Sequence, residues 1–328
     1  ASGAMSLARY VLLLSSFLLV TACGDAGATG SGADSNAGKA RIVVIPKGTT
    51  HVFWQAVQAG ATEAAATAGV EMMFKGPLSE NDRATQKQLV QQFIGEGVAG
   101  IALAPLDARA LVPEVKRAKA KGIPVVIFDS ALDGTVGEDF DSFIATDNGK
   151  SGELAGTEMA RLLGNKGKVV VLRYQVGSAS TTAREEGFLK VARAAGLEIL
   201  VDNRHAGASI GEAKTAALNM ADDLKLADGV FCPCEPVTNG MMLALDQLGM
   251  TGKLQFVGFD VTQPLREGLR DGKIHALVVQ NPRRMGQLAV EHLKMLIDGK
   301  AVEKTVDTGC VLATKANMED PEIAALLK

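Results

Sequence analysis

Aromatic side chains are scarce in this 328-residue chain: they make up 4%, with one Trp and two Tyr. Any core must therefore be aliphatic, built from Ala, Val, Leu, Ile and Met. Four cysteines are too few for a disulfide scaffold. Charge of one sign is not in excess either, since 34 basic and 37 acidic residues leave a net −3. A nucleic-acid binder would carry a strong basic surplus, so that partner class is excluded. The chain has no H-E-x-x-H and no G-x-x-x-x-G-K-[ST]. Gly149-Lys-Ser151 lacks the earlier glycine of a phosphate loop. Asp139, Asp141 and Asp147 lack calcium-loop spacing, because Phe143 stands where a further ligand should be. Cys232-Pro-Cys234 offers two thiols where a metal site needs about four ligands at wider spacing. No metal, cofactor or catalysis is expected.

What is present is ordinary globular material, with 47% hydrophobic and 22% charged residues. That is enough apolar surface for two cores, and the length suits two domains at about 150 residues each. The start differs. Arg9 precedes the apolar run Tyr10 to Val20, about half of the roughly 20 residues a membrane-spanning helix needs. A basic residue, a short apolar run and then small residues is the layout of a secretory signal. Val20-Thr-Ala-Cys23 resembles a bacterial lipobox. The resemblance implies a signal peptide over 1–22, acylation of Cys23, and anchoring to a membrane that the fold itself does not enter. Residues 23–40 read as a lipidated Cys and a flexible tether of small and polar residues. The glycines at 27, 30 and 32 loosely mimic a dinucleotide fingerprint, but no strand precedes them.

From residue 41 short apolar runs alternate with helical periodicity. Strands are expected at 41–46, 70–74, 98–103, 124–128, 169–172, 230–232, 254–257 and 276–279, with Cys310 buried in a late strand. Helices are expected at 53–68, 80–95 and 108–120. Continuous apolar strands separated by helices of about a dozen residues imply a parallel sheet covered on both faces. About ten strands are too many for one small sheet, so two doubly wound α/β lobes are predicted. Ligands in such sheets sit beyond the carboxyl ends of the strands. That rule selects Lys47 to Trp54, Ser79 to Asp82, Asp129-Ser130, Gln175 to Arg184, Cys234-Glu235, Asp260 and Gln280.

The chemistry of these positions suits a polyhydroxylated ring. Phe53 and Trp54 offer flat surfaces for C–H faces. Asp129 and Asp260 accept strongly from hydroxyls, Arg184 donates a planar fork, and Gln280 both donates and accepts. Asp147-Asn148 reads as a helix cap at a hinge, and Cys232 as structural.

Six segments carry a resemblance: Gly48-Thr-Thr-His-Val-Phe-Trp54, Ile123-Pro-Val-Val-Ile-Phe-Asp129, Ala145-Thr-Asp-Asn148, Thr181 to Phe188, Val257-Gly-Phe-Asp260 and Asp271 to Gln280. In this order the chain resembles the periplasmic ribose-type sugar-binding proteins, substrate-binding subunits of ABC importers, over about residues 41–315. The resemblance implies two lobes joined by a three-segment hinge, the type I periplasmic binding fold. One lobe would be 41–146 plus 281–309, the other 147–280 plus 310–328. It implies a monomer, held at the membrane through its lipid in the periplasm or at the cell surface, that closes over a sugar or polyol and presents it to permease subunits.

By the resemblance, Phe53, Trp54, Asp129, Arg184, Asp260 and Gln280 match ligand contacts in type, and His51 stands where an Asn is common. Ser130, Cys234 and Ala104 depart from an Arg and two Asn. Each departure removes hydrogen-bonding capacity or length, which implies a larger pocket, or one for a different ring or a polyol. Lys47 and Glu80, by their strand-end position, are expected to replace lost contacts. Two other readings share this lobe pair: a receptor that presents ligand to a membrane sensor, and a LacI-like sugar-responsive regulator. The second would need an N-terminal helix-turn-helix where this chain has a signal and tether.

Overall fold

The computed structural model describes residues 38–327. The expected signal peptide, Cys23 and most of the tether lie outside the described residues. The chain begins with β1 (Arg41–Ile45), α1 (Val52–Ala68), β2 (Glu71–Phe74), α2 (Arg83–Glu96), β3 (Gly100–Leu103), α3 (Val112–Ala120), β4 (Val125–Phe128) and β5 (Ser142–Ala145). There follow α4 (Asn148–Leu163), β6 (Lys168–Arg173), α5 (Ala179–Ala194), β7 (Glu198–His205), α6 (Ile210–Leu218) and α7 (Ala221–Leu226). Then come β8 (Gly229–Phe231), α8 (Glu235–Gln247), β9 (Gln255–Phe259), α9 (Gln263–Arg270) and β10 (Ala276–Gln280). The last elements are α10 (Pro282–Ile297), β11 (Thr305–Asp307), β12 (Cys310–Thr314) and α11 (Pro321–Leu326).

The strands form two six-stranded sheets, in the orders β11-β5-β4-β3-β1-β2 and β12-β10-β9-β8-β6-β7. The two orders are equivalent, so β4 and β9 occupy the same place in their lobes. All pairings are parallel except β10 with β12. The central strands are apolar throughout because both faces are covered: all four residues of β4 and all five of β10 are buried. Two hydrophobic clusters sandwich each sheet. This is the two-lobed, doubly wound α/β architecture expected. The chain crosses between sheets three times, after β5, β10 and β11.

The expected strands fall within a residue or two of their places, but β5, β7 and β11 leave little sequence signal. β7 and β11 lie at sheet edges, where one side meets water and the apolar run breaks up. Cys310 does begin a late strand, β12, but is half-buried rather than buried. The helix expected from Glu80 starts at Arg83, where Asp82 caps it by accepting from Thr85 N. Glu80 is thereby left in a turn.

Two helix pairs are packed unusually close. In the second lobe a Cβ on Gly152 of α4 would lie 2.0 Å from the carbonyl oxygen of Arg184 on α5. Only glycine permits this contact, and it sets the depth at which α5 holds Arg184. Among the described residues no helix is long and apolar enough to cross a membrane.

Candidate ligand-binding cleft

The carboxyl ends of both sheets converge on a cavity of about 350 Å3. The first lobe lines it with Lys47 and His51 from the β1–α1 loop, Phe53 and Trp54 from α1, Glu80 after β2, and Asp129 after β4. The second lobe contributes Tyr174 after β6, Ser180, Thr181 and Arg184 from α5, Cys234, Glu235 and Pro236 around the start of α8, Asp260 after β9, and Gln280.

Asp129 and Asp260 are a matched pair. Each follows the equivalent strand of its lobe and adopts a left-handed backbone, with φ of 60° and 65°. Asp tolerates this region better than most residues, because its short side chain satisfies local polar groups. Each keeps its backbone N–H in the sheet, to Ile144 O and Val278 O, both at 2.9 Å. The turn then carries the carboxylate onto the cavity wall.

Around Asp260 runs a chain of buried polar groups. Arg184 donates from Nε to Asn148 Oδ1 at 2.8 Å, from Nη1 to Pro233 O at 3.0 Å and from Nη2 to Gln280 Oε1 at 2.8 Å. Gln280 passes the order on, its Nε2 donating to Asp260 Oδ1 at 2.7 Å, and Glu235 N donates to Asp260 Oδ2 at 2.9 Å. The guanidinium also stacks 4.7 Å from the Phe259 ring centroid. Of its five N–H groups, three are engaged, which leaves two for a ligand. Burial pushes Asp260 above the ordinary carboxylate range, against the pull of Arg184 and Gln280.

Asp129 is held differently. Its Oδ2 lies 3.1 Å from Lys47 Nζ, both side chains 4% exposed. The contact is an ion pair without hydrogen-bond geometry, so this buried oxygen has no donor among the described residues. Lys47 donates across the cleft to Ser180 Oγ at 2.9 Å and Ser178 Oγ at 3.4 Å.

Glu80 is already occupied by the protein. Trp54 Nε1 and His51 Nδ1 each lie 2.7 Å from its Oε1, and Tyr174 from the other lobe donates to Oε2 at 3.0 Å. Burial raises the Glu80 carboxyl, but the hydrogen bond and charge of His51 outweigh it, and its pKa falls below the usual value. Burial lowers His51 in turn, and Glu80 more than restores it. Burial pushes the Cys234 thiol well up, so it is a small apolar group on the wall.

Ten of the eleven expected ligand-contacting residues therefore line one cavity: Lys47, His51, Phe53, Trp54, Glu80, Asp129, Arg184, Cys234, Asp260 and Gln280. Ser130 does not. It is fully buried behind Asp129, and its Oγ accepts from Ser180 N at 3.1 Å, so it braces the two lobes. Ala104 is also off the wall, packed in the first lobe's core. The expectation that Lys47 and Glu80 replace lost contacts meets a limit, since their polar atoms are engaged with Asp129, Ser180, His51, Trp54 and Tyr174. Trp54 is as much core as wall, being 2% exposed with its ring edge-on to Phe53 and Phe128. Asp147 caps α4 as expected, accepting from Lys150 N at 3.0 Å.

Sequence reading missed Tyr174. Its signal is its place, the first residue after β6. Glu235 falls within the strand-end segments but was not singled out. One expected absence is corrected: G-x-S-x-G is expected to be missing with the other enzyme signatures, but Gly207-Ala-Ser-Ile-Gly211 spells it. Here Ser209 is the N-cap of α6, and its hydroxyl is bonded within a capping box to Glu212. Its extended backbone, φ −124° and ψ 159°, is not the sharp turn of a nucleophile elbow. Among the described residues no group of three metal-ligating side chains occurs.

Comparison with known proteins follows the same lines. The periplasmic binding protein domain matches residues 42–301. The D-allose-binding periplasmic protein of Escherichia coli K12 is 29% identical, over 81% of this chain and 86% of that one. The ribose import binding protein RbsB of Bacillus subtilis is 28% identical, over 95% of this chain and all of that one. A solved ABC transporter solute binding protein from Agrobacterium vitis, with bound D-fucose, superposes with a TM-score of 0.84 at 36% identity, covering 88% of this chain and 100% of that one.

Proposed function

We propose that this chain, which belongs to the periplasmic binding protein domain family, captures a sugar or sugar alcohol between its lobes and delivers it to an ABC transporter. The observation that carries the reading is Asp129. Its Oδ2 is held by the Lys47 ammonium, while Oδ1 has no hydrogen-bond donor among the described residues, so a carboxylate on the cavity wall calls for a ligand that brings one, and a hydroxyl does. Across the cavity the two remaining Arg184 N–H groups and the second amide hydrogen of Gln280 suit the oxygens of the same ring. Phe53 offers a flat face for its C–H groups, and Cys234 and Pro236 add apolar wall. The ligands of these relatives, D-allose, ribose and D-fucose, support a monosaccharide.

The work of such a site is closure. Lys47 to Ser180, Tyr174 to Glu80 and Glu235 to the start of α1 are bonds between lobes, so they form only when the cleft is shut. The ligand adds differential contacts that favour the shut state, and the permease then reads the rims. The ligand leaves unchanged, and the protein acts as a monomer. We place it in the periplasm or at the cell surface, anchored by acyl chains on Cys23 after removal of a signal peptide over 1–22.

The test is a titration of refolded, ligand-stripped protein with pentoses, hexoses, deoxy sugars, amino sugars and polyols. Calorimetry, melting temperature and Trp54 fluorescence are read together. Saturable binding of one ligand class, lost in Asp129→Ala, is expected. No response across the panel would refute the reading. Mass spectrometry of the membrane fraction checks the anchor, which requires a diacyl or triacyl Cys23.

A further inference from the structure

We infer that Glu235 is a positioning residue that ties the aromatic wall of the cleft to lobe closure, by capping α1 from the opposite lobe. The inference rests on the reading above only where it concerns sugar affinity.

Glu235 is the first residue of α8 in the second lobe and is buried. Its carboxylate crosses the cleft and accepts from Phe53 N at 3.1 Å and from Val52 N at 3.4 Å. These are the first two residues of α1, and such N–H groups have no partner inside their own helix. The local N-cap, His51, makes no side-chain cap bond, because its Nδ1 is committed to Glu80. An anion at a helix N-terminus is also favoured by the helix dipole. Glu235 is itself fixed, its N–H donating to Asp260 Oδ2 and its carbonyl accepting from Asn239 Nδ2 at 3.1 Å. The side chain whose backbone it grips, Phe53, lines the cavity and packs 4.9 Å from Trp54. When the lobes part, α1 loses its acceptor and Phe53 loses its anchor.

The charged groups facing Glu235 are His51, ahead of α1, and Asp260, at the end of β9. Burial lifts the Glu235 carboxyl to about 7; the bond from Phe53 N and the charge of His51 pull it down, and Asp260 pushes it up. Opening the cleft returns the carboxyl to water and towards its ordinary value. Closure therefore takes up a proton at pH values between the two. Closure strengthens as pH falls through about 7, by at most tenfold per pH unit.

Two measurements on the intact protein test this. The first is amide hydrogen exchange of the segment around Val52 and Phe53 in protein held shut by a disulfide engineered across the cleft rim, which needs no ligand. E235A is expected to exchange there at least tenfold faster than wild type, and E235Q, whose amide oxygen still accepts, to lie between. Equal exchange in E235A and wild type overturns the proposal. The second is monosaccharide affinity by calorimetry from pH 5.5 to 8.5. E235A is expected to weaken binding tenfold or more, while E235Q recovers much of the loss and flattens the pH slope. A wild-type slope in E235Q overturns the proton coupling. A panel in which wild type binds nothing refutes the sugar reading alone, and the exchange measurement still decides the role of Glu235.

Discussion

Lys47 and Asp129 form a pair whose removal separates stability from binding. At 3.1 Å their attraction is about 5 kcal/mol at an effective dielectric constant of about 20, much of it offset by the cost of burying both charges. Breaking such a pair from one side strands the other charge, at about 3–5 kcal/mol. Lys47→Met leaves Asp129 Oδ2 with neither donor nor cation, which sets the upper end. Asp129→Asn leaves the ammonium its serine partners, Ser178 and Ser180, which sets the lower end. The double variant removes both charges and is expected within about 1 kcal/mol of wild type, far less than the sum of the two single losses. Urea denaturation at pH 7, followed by far-UV circular dichroism and Trp54 fluorescence, measures all four corners of the cycle. The same double variant lacks the carboxylate that accepts from the ligand. A hydrogen bond to a charged group is worth about 1.5–3 kcal/mol, so its affinity should fall about tenfold to a hundredfold. Two losses that simply add in the double variant would refute the pairing argument. A double variant that binds as wild type would refute the role of Asp129.

The remaining predictions concern packing, closure and pH. Gly152→Ala must push α4 from α5 and should cost about 1–3 kcal/mol, whereas Gly95→Ala, on an exposed helix face with nothing within 4 Å, should gain up to about 1 kcal/mol; equal effects on the urea midpoint would discount the close contact. Tyr174→Phe leaves Glu80 Oε2 without its cross-cleft donor and should weaken ligand binding several-fold while far-UV circular dichroism is unchanged. Burial raises Glu185 to about 7, against the bond from Tyr174 N and the charge of Arg173. The folded state therefore binds this proton more tightly than the unfolded chain does. Its contribution to stability is full below about 4.5 and lost as pH rises through about 7, on the order of 3 kcal/mol. The stability of wild type relative to Glu185→Gln should accordingly rise as pH falls from 8 to 5, and a flat difference would contradict the assignment.

Much of the fold is legible in the chain. A parallel strand covered on both faces has no polar side, so β1, β3, β4, β6, β9 and β10 stand out as unbroken apolar runs. The edge strands β7 and β11 do not, because a half-solvated strand mixes polar and apolar residues without a fixed rhythm. The candidate site is legible for a related reason: ligands lie beyond the carboxyl ends of such strands, so position alone nominates Asp129, Asp260 and Gln280. Position does not say where a side chain goes. Ser130 and Asp129 are neighbours at one strand end, yet one braces the lobes and the other lines the cavity.

By itself, the sequence determined the two-lobed parallel fold, the strand ends that meet, and the residue types that suit a hydroxylated ring. Those follow from local patterns of period and punctuation, which a linear chain displays in full. Tertiary structure alone decided which polar groups are spent on the protein and which remain for a ligand. Glu80 meets Tyr174 from 94 positions away, and Glu235 meets Phe53 from 182. Partners at such separation are set by the crossing of two sheets, so no stretch of sequence around either residue records the pairing.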